Sequence, residues 1–374
     1  DWSSDVCSSD LPTVAMREAV YGSFRFVKAG ALPMPASKSF AQRAIVAAAL
    51  AEGVSVLEGY SPCGDSESAL AAARALGAAV DIDDKKLIIK GIGAVPGGLH
   101  LGELPCGESG LLTRMMIPLL ATLSEEPVRV SGERTLLGRP LSGAHEIMAA
   151  FGVRLYPEEN ESVLSRKADC RLPLTVAGPL LPGRADVSGK GGSQLISGLL
   201  AALPLCAEKS VLYVHDPRSI PYLFITVDVL KRFGIRIGSE MEGDDIFLES
   251  QDWSHCSGVN FKIKGGQRYQ GAHFAIEADW PGLRRTLQAD ISILDILTEA
   301  GASLSQLDEP VGPIHVHRAP LSPFRADLNN CPDLFPIAAV LAAFCPGESV
   351  LGGVERLRHK ETDRAAAIEA MLVR

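Results

Sequence analysis

The sequence predicts an α/β (α+β) protein built from internally repeated units. Three apolar runs each begin behind small polar residues, and each is followed by a turn and a β-rich piece. A second helical pattern then closes on a glycine and leads into another strand. The copies recur every ~70–85 residues, a period that indicates a repeated supersecondary unit. We therefore expect three successive copies of helix–strand–helix–strand.

The first copy begins at residues 35–43, between a Pro- and Gly-containing segment and an Ala-rich run that ends near Gly53. Small hydroxyl residues before such a run start helices, because their oxygens accept hydrogen bonds from the N–H groups of the first turn. Lys38, Ser39 and Arg43 would then lie together at the positive end of the helix dipole. This environment suits a phosphate or carboxylate, although a capped helix with solvated charges would give the same pattern.

The second copy begins at residues 107–114 and the third at residues 191–194. Both openings precede apolar runs, at 115–123 and 195–206, that are long enough for buried helices. The strand, second helix and second strand that follow each run are expected at 54–57, 66–77 and 78–80 in the first copy, at 128–130, 142–152 and 153–155 in the second, and at 211–214, 225–234 and 235–237 in the third.

The two ends of the chain differ from this pattern. Residues 1–10 show no hydrophobic periodicity, and we expect them to be a non-native or disordered leader. A helix predicted at 290–300 matches the second helix of the repeat, but the first helix and strand of that copy are missing after Trp280. By the repeat period, on the order of 30 residues are absent there. A further copy follows, with a helix at 334–344, a strand at 349–351 and a final helix from residue 365.

Composition excludes several classes of function. The net charge of −9 argues against a nucleic-acid surface, and no apolar stretch predicts a signal peptide or a membrane span. The eight cysteines contain no C-x-x-C pair, which favours reduced thiols in the cytoplasm. His315 and His317 lack a third ligand of matching spacing, so no metal site is expected. The chain has no dinucleotide fingerprint, P-loop or G-x-S-x-G turn, and we expect no cofactor.

A second cationic cluster is predicted near the end of the chain. Lys360 and Arg364 are four residues apart and would share a helix face, with Glu361 beside them; an exposed, salt-bridged helix start is the alternative. Several helix N-termini bearing Lys, Arg, Ser and Gln describe a site for a small substrate with several negative charges. Asp290 and Glu361 are the carboxylates best placed to move protons there. The chemistry indicated is positioning with acid–base catalysis on phosphorylated substrates.

Seven motifs in order resemble the 5-enolpyruvylshikimate-3-phosphate synthase family of enolpyruvyl transferases. They are Ser37-Lys38-Ser39-x-x-x-Arg43, Glu108-x-Gly110-x-x-x-Arg114, Arg139-Pro140, Ser193-Gln194, Ser219-x-Pro221-Tyr222, Leu287-Gln288-Ala289-Asp290 and Lys360-Glu361-Thr362-Asp363-Arg364. The resemblance implies a two-domain enolpyruvyl-transferase fold in which each domain contains three βαβαββ units. Residues 37–276 would form a three-repeat domain. Residues 11–36 together with 277–374 would form the second domain, incomplete because of the gap after Trp280 and a truncated C-terminus.

The resemblance also implies the reaction and the role of each site residue. The enolpyruvyl group of phosphoenolpyruvate would pass to the 5-hydroxyl of shikimate 3-phosphate, with release of phosphate. Asp290, Glu361 and Lys38 would carry proton transfer. Shikimate 3-phosphate would be held by Lys38, Ser39, Arg43, Ser193, Gln194, Ser219, Tyr222, Asp290 and Lys360, and phosphoenolpyruvate by Lys38, Gly110, Arg139, Gln194 and Arg364. The enzyme would be a cytoplasmic monomer whose partners are these two small molecules, without nucleic acid, membrane or metal.

Three positions depart from the family pattern: Glu108 where Asn is usual, Gly192 where a second Ser is common, and Arg356 where Asn often contacts substrate. A glutamate beside a phosphate would repel it unless the carboxylate is protonated or paired. Two other functions are compatible with the fold. One is the sister transferase that acts on UDP-N-acetylglucosamine, which would carry Lys-Asn in place of Lys38-Ser39 and a loop cysteine as acid. The other is a non-catalytic fragment that binds shikimate 3-phosphate.

Overall fold

The computed structural model of the chain describes residues 35–158, 170–250, 253–277, 292–306, 314–317, 319–357 and 363–372. All structural statements below concern these residues. The expected leader at 1–10 and the expected gap after Trp280 both lie outside them.

Residues 35–277 form three four-stranded sheets. Their strands are β1 (Val54–Glu58), β2 (Ala79–Asp83), β3 (Lys86–Lys90), β4 (Glu103–Pro105), β5 (Val128–Ser131), β6 (Arg154–Pro157), β7 (Leu174–Ala177), β8 (Arg184–Ser188), β9 (Ser210–His215), β10 (Ile237–Gly243), β11 (Cys256–Ile263) and β12 (His273–Ala275). The strand orders are β12-β1-β3-β2, β4-β5-β7-β6 and β8-β9-β11-β10. Each sheet therefore has one parallel pair followed by two antiparallel pairs.

The three sheets share one topology because the chain repeats one unit, βαβαββ. The sequence pattern located β1, β5 and β9 and the edge strands β2 and β6. The third edge strand was expected at 235–237, but β10 runs from Ile237 to Gly243. The pattern did not locate the third strand of the first two units or the leading strands β4 and β8. β4 has only three residues, and β3 alternates over five residues between charged ends. Such short segments carry too little periodicity to identify from one sequence.

The first sheet is completed by a distant part of the chain. β12 lies parallel to β1, with Val56 opposite His273. Beyond β12, the Ile276 N–H donates to the Glu58 carbonyl over 2.8 Å, and the Ser37 N–H donates to the Glu277 carbonyl over 2.8 Å. The leading strand of the first unit is thus encoded after the third unit, and the two ends of the segment meet.

The helices of this half are α1 (Lys38–Leu50), α2 (Gly64–Ala75), α3 (Gly110–Leu123), α4 (Ala144–Ala149), α5 (Ser193–Ala202), α6 (Ile220–Arg232) and α7 (Asp245–Ser250). Nearly every residue of α1, α3 and α5 is buried, as their apolar sequences predict. Ser37 caps α1 by accepting from the Phe40 N–H, and Ser109 caps α3 by accepting from the Leu112 N–H. These caps fix where the N-termini of α1 and α3 begin.

Several helix boundaries differ from the predictions; α4, expected at 142–152, spans only Ala144–Ala149, and two other differences involve proline. α5 ends at Ala202, and the run continues as a 3-10 turn over Leu203–Leu205. Pro204 has no N–H to donate and cannot continue the α-helical hydrogen bonds, which accounts for the shorter helix. α6 begins at Ile220 rather than 225, with Pro221 in its first turn, a position that proline tolerates.

The second half contains α8 (Ile293–Glu299), α9 (Phe335–Ala343), α10 (Arg364–Leu372), β13 (Ser303–Gln306), β14 (Ile314–His317), β15 (Arg325–Asp327) and β16 (Val350–Gly352). The predicted helices at 290–300, 334–344 and 365–374 correspond to α8, α9 and α10. A separate small core includes Ile296, Phe324, Leu328 and Phe335. α9 is apolar on all sides, yet Ile337 and Phe344 at its end are exposed.

Candidate active site

A cavity of about 770 Å³ lies where the N-termini of five helices converge. α1, α2, α3, α5 and α6 each contribute residues from their first turn or the residue before it. The second half of the chain contributes Pro332, Asp333 and Glu355. Because each N-terminus carries unpaired N–H groups and a partial positive charge, their convergence favours an anionic ligand.

Most of the site residues predicted from the sequence lie in this cavity. Those that line it are Lys38, Ser39, Arg43, Gly110, Arg139, Ser193, Gln194, Ser219 and Tyr222. Arg364 donates to the Asp333 carboxylate over 2.6 Å, and Asp333 lines the cavity. Asp290, Lys360 and Glu361 lie outside the described residues. The nine predicted residues that line the cavity come from four helices and one loop, and the fold brings them together.

Arg43 is a buried cation held by neutral partners. Its side chain is 2% exposed, and it donates from Nε to Thr226 Oγ1 (2.7 Å) and from Nη2 to Ser197 Oγ (3.3 Å). Its Nη groups also donate to the carbonyls of Ser39 and Tyr222. Burial lowers the pKa of Arg43 to about 10, so the guanidinium remains charged at neutral pH. Among the described residues no carboxylate pairs with it, and this leaves positive charge at the floor of the cavity.

Arg114 and Arg139 form a second cationic region beside Gly110. Arg114 donates to the carbonyls of Pro140 (2.7 Å) and Gly110 (3.1 Å). Burial, and then repulsion from Arg139, lower the pKa of Arg114 to about 10. A Cβ on Gly110 would lie 3.0 Å from Arg114 Nη1 and 3.7 Å from Arg139 Nη1. The missing side chain at Gly110 therefore leaves room for a ligand against two guanidinium groups.

Arg139 is oriented by a hydroxyl. Its Nη2 donates to Thr135 Oγ1 over 2.9 Å, while the Thr135 hydroxyl donates to Glu108 Oε1 over 3.1 Å. The Glu108 carboxylate also faces Arg134 at 3.6 Å. The Nε of Arg139 is buried and has no hydrogen-bond partner among the described residues. Glu108, where a repulsive carboxylate was a concern, is thus paired.

Two lysines at the cavity have carboxylate partners. Lys38 Nζ lies 3.3 Å from Asp65 Oδ2, and Lys190 Nζ lies 3.5 Å from Asp216 Oδ2. Both pairs are partly exposed, so each contributes little to stability. Lys190 can therefore turn toward a stronger anion at small cost.

Sequence reasoning missed several cavity residues, among them Gln42, Ser109, Arg114, Thr135 and Lys190. Ser109 donates to Gln42 Oε1 over 2.5 Å, which ties the first turn of α3 to α1. Arg114 lies inside a motif that was recognised, one helical turn from Gly110, and that spacing could have identified it. Lys190 is the only side chain in the Gly189–Gly192 turn that carries a charge, and this too is visible in the sequence.

The described residues contain no cluster of three metal-ligating side chains. Within the same part of the chain, no helix has the length and apolar character needed to cross a membrane. The arrangement can bind phosphate and carboxylate groups through cations, hydroxyls and helix N-termini, and it can stabilise negative charge that develops on a bound molecule.

Comparisons with known proteins agree on one family. The sequence profile described as EPSP synthase (3-phosphoshikimate 1-carboxyvinyltransferase) matches residues 28–374. The 3-phosphoshikimate 1-carboxyvinyltransferase of Clostridium novyi is 31% identical over 362 residues, which cover 92% of this chain and 78% of that protein. The enzyme of the same name from Methanothermobacter thermautotrophicus is 33% identical over 360 residues, covering 92% and 80%.

Solved structures show the same fold. EPSP synthase from Acinetobacter baumannii superposes with a TM-score of 0.66 at 20% identity, over 91% of this chain and 77% of that one. The enolpyruvyl transferase NikO from Streptomyces tendae gives a TM-score of 0.57 at 16% identity, over 86% and 74%. The chain thus shares the enolpyruvyl-transferase architecture over most of its length.

Proposed function

Because the chain belongs to the EPSP synthase family, we propose that its cavity transfers the enolpyruvyl group of phosphoenolpyruvate to the 5-hydroxyl of shikimate 3-phosphate. The protein is a transferase of the shikimate pathway, which serves aromatic amino-acid biosynthesis. The observation that carries the proposal is the convergence of five helix N-termini on one cavity with the buried cations Arg43 and Arg114. Two phosphorylated substrates need this concentration of positive charge.

Shikimate 3-phosphate is assigned to the side of the cavity formed by α1, α5 and α6. Ser193, Gln194 and Ser219 lie at the starts of α5 and α6, where hydroxyl, amide and backbone N–H groups can hold the phosphate. Tyr222 would pack against the ring. The buried Arg43 supplies positive charge from below, and Ser39 and Lys38 complete this side. Asp290 and Lys360 complete the proposed set.

Phosphoenolpyruvate is assigned to the side formed by α3 and the loop that carries Arg139. Its compact, highly charged shape fits the space over Gly110 between two guanidinium groups. Arg139 offers a planar fork that matches a carboxylate or phosphate bidentately, and its buried Nε has no other partner in the described part of the chain. Lys38, Gln194 and Arg364 complete this proposed set.

Catalysis in this proposal consists of proton transfer and charge stabilisation. A proton is added to the methylene carbon of phosphoenolpyruvate, and the 5-hydroxyl attacks the resulting cationic carbon and loses its own proton. Phosphate then leaves while a proton is removed from the new methyl group, which restores the carbon–carbon double bond. Asp290 and Glu361, with Lys38, would move the protons. Lys38 and Arg139 would stabilise the charge that grows on the departing phosphate. No cofactor is required for these steps, and we propose that none is used.

The test is a coupled measurement of binding and turnover on the whole chain. Calorimetric titration with shikimate 3-phosphate, alone and with phosphoenolpyruvate, should show binding of both ligands with coupling between them. Phosphate release from the mixture should follow. Binding of shikimate 3-phosphate without phosphate release would favour the non-catalytic alternative. Activity with UDP-N-acetylglucosamine in place of shikimate 3-phosphate would favour the sister transferase.

We also propose a cytoplasmic monomer that interacts with neither nucleic acid nor membrane. An acidic surface opposes binding to nucleic acid. Sedimentation analysis at several concentrations tests the oligomeric state.

A further inference from the structure

We propose that Thr135 is a positioning residue that holds Arg139 toward the anionic substrate, with Glu108 holding Thr135. The inference rests on the proposed function, since it concerns how the positive charge of Arg139 is held in place on the phosphoenolpyruvate side of the cavity. It is based on a hydrogen-bond network of three residues, Arg139, Thr135 and Glu108. In this network the Thr135 hydroxyl bridges the guanidinium of Arg139 and the carboxylate of Glu108.

The donor and acceptor of each hydrogen bond in this network follow from the chemical groups involved. A guanidinium can only donate and a carboxylate can only accept. The Thr135 hydroxyl, which does both, accepts from Arg139 Nη2 at 2.9 Å and donates to Glu108 Oε1 at 3.1 Å. The Thr135 N–H donates to the same Glu108 oxygen at 3.3 Å. The turn is therefore held at two points by one carboxylate oxygen.

The hydroxyl also keeps opposite charges apart. Glu108 and Arg139 both line the cavity. If they formed a direct ion pair, the carboxylate would offset the positive charge of the guanidinium that a ligand would otherwise meet. Instead Glu108 Oε2 lies 3.6 Å from Arg134 Nη1, and among the described residues no carboxylate pairs directly with Arg139. No carboxylate therefore compensates the positive charge of Arg139, and its buried Nε has no hydrogen-bond partner among the described residues. A side chain ordered in advance loses less entropy when the ligand binds.

Four variants separate this role from a general effect on folding. Thr135→Ser retains the hydroxyl, whereas Thr135→Val keeps the shape and removes it. Glu108→Gln keeps an oxygen that can accept from Thr135 but removes the charge. Thr298→Val is the matched control, because the Thr298 hydroxyl donates to the Leu294 carbonyl on α8, outside the cavity. Unfolding by urea verifies that each variant keeps the stability of the parent.

The affinity of each variant for phosphoenolpyruvate and for shikimate 3-phosphate is measured by calorimetry in two separate titrations. Each titration contains only one substrate, so no turnover occurs. We expect Thr135→Val to weaken phosphoenolpyruvate binding about tenfold, with Thr135→Ser, Glu108→Gln and Thr298→Val within about threefold of the parent. Shikimate 3-phosphate affinity should stay within about twofold throughout. In a turnover assay, Thr135→Val should raise KM for phosphoenolpyruvate more than it lowers kcat.

Three results would overturn the inference. The first is that Thr135→Val binds phosphoenolpyruvate as tightly as the parent. The second is that Thr135→Ser loses as much affinity for phosphoenolpyruvate as Thr135→Val does. A tenfold loss in Glu108→Gln would show that the charge, not the hydrogen bond, holds the turn. If the parent itself binds neither ligand, the proposed function fails first, and this result is distinct because it precedes any comparison of variants.

Discussion

Arg43 donates from Nε to Thr226 Oγ1 over 2.7 Å, although the two residues are 183 positions apart. The same guanidinium reaches Ser197 on α5 and the start of α6. A residue assigned to substrate therefore also joins three of the helices whose N-termini form the cavity. Its position cannot change without moving the site.

We expect Arg43→Met to lose both stability and binding. The change removes four donated hydrogen bonds and leaves the hydroxyls of Thr226 and Ser197 with fewer partners, a loss of about 2 kcal/mol or more. Urea unfolding and shikimate 3-phosphate titration measure the two effects. Parent-like stability would contradict the structural role.

The burial of Arg43 also predicts a pH effect of defined sign. The pKa of Arg43 falls from 12.5 to about 10 on folding, so between these values the unfolded chain binds more protons. The contribution of Arg43 to the free energy of unfolding therefore rises with pH across that window. The difference in stability between parent and Arg43→Met should grow by roughly 1 kcal/mol from pH 9 to pH 11. A difference that shrinks over that range would contradict the argument.

Lys38→Met should lower turnover by at least ~100-fold, the scale observed when one preorganised electrostatic donor is deleted. Stability should hardly change, because the Lys38–Asp65 pair is partly exposed. The matched control is Lys262→Met, which breaks an exposed pair with Glu240 outside the cavity. Turnover of Lys38→Met within a few-fold of the parent at saturating substrates would remove Lys38 from catalysis.

Gly110→Ala should weaken phosphoenolpyruvate binding about tenfold and leave shikimate 3-phosphate binding unchanged. The new methyl group would lie 3.0 Å from Arg114 Nη1 and occupy the space proposed for the ligand. Gly102→Ala serves as the control, because a Cβ there meets no atom within 4 Å. Competition titrations with each substrate distinguish the two sides of the cavity. An equal loss for both substrates would show a general distortion instead.

Cys63 should be protected from alkylation by substrate. It is partly exposed and lines the cavity, whereas Cys345 is partly exposed on the other half of the chain, outside the cavity lining. Labelling with iodoacetamide and peptide mapping should show Cys63 slowed by both substrates and Cys345 unaffected. Cys106 should not react under native conditions, since burial raises the pKa of its thiol to about 12. Substrate-independent labelling of Cys63 would place the ligands elsewhere.

Residues 37–276 should resist proteolysis as one unit. We propose them as a domain, on the grounds that the Ser37–Glu277 and Ile276–Glu58 hydrogen bonds close the segment on itself. Residues after 277 should be lost sooner, because α9 exposes apolar side chains and α10 buries none. Timed digestion with mass spectrometry tests this division. Equal rates of cleavage in both halves would contradict it.

The features that could be predicted from the sequence alone are those that neighbouring residues determine. Capped helix starts such as Ser37 and Ser109, and the apolar runs behind them, follow from residue type and period alone. The cavity itself follows from long-range packing, which brings Lys38, Arg139 and Ser193 together from separate units. The pairing of Glu108 with Thr135 required a turn whose geometry no periodicity encodes. Arg43 was assigned to substrate from its spacing, but its contact with Thr226 depends on how α6 packs against α1.

The position of β12 has a consequence for synthesis of the chain. The Ala272 N–H donates to Ser55 Oγ across 217 positions. β1 therefore cannot pair with its parallel neighbour β12 until those residues have been synthesised. At typical rates of translation that interval lasts about 10–40 s. The strands of the second and third units are consecutive in the chain, so each of those sheets can form as its unit is synthesised. Throughout the interval β1 presents an open edge that can pair with other chains. Of the three units, the one that is synthesised first is therefore the last whose sheet can be completed.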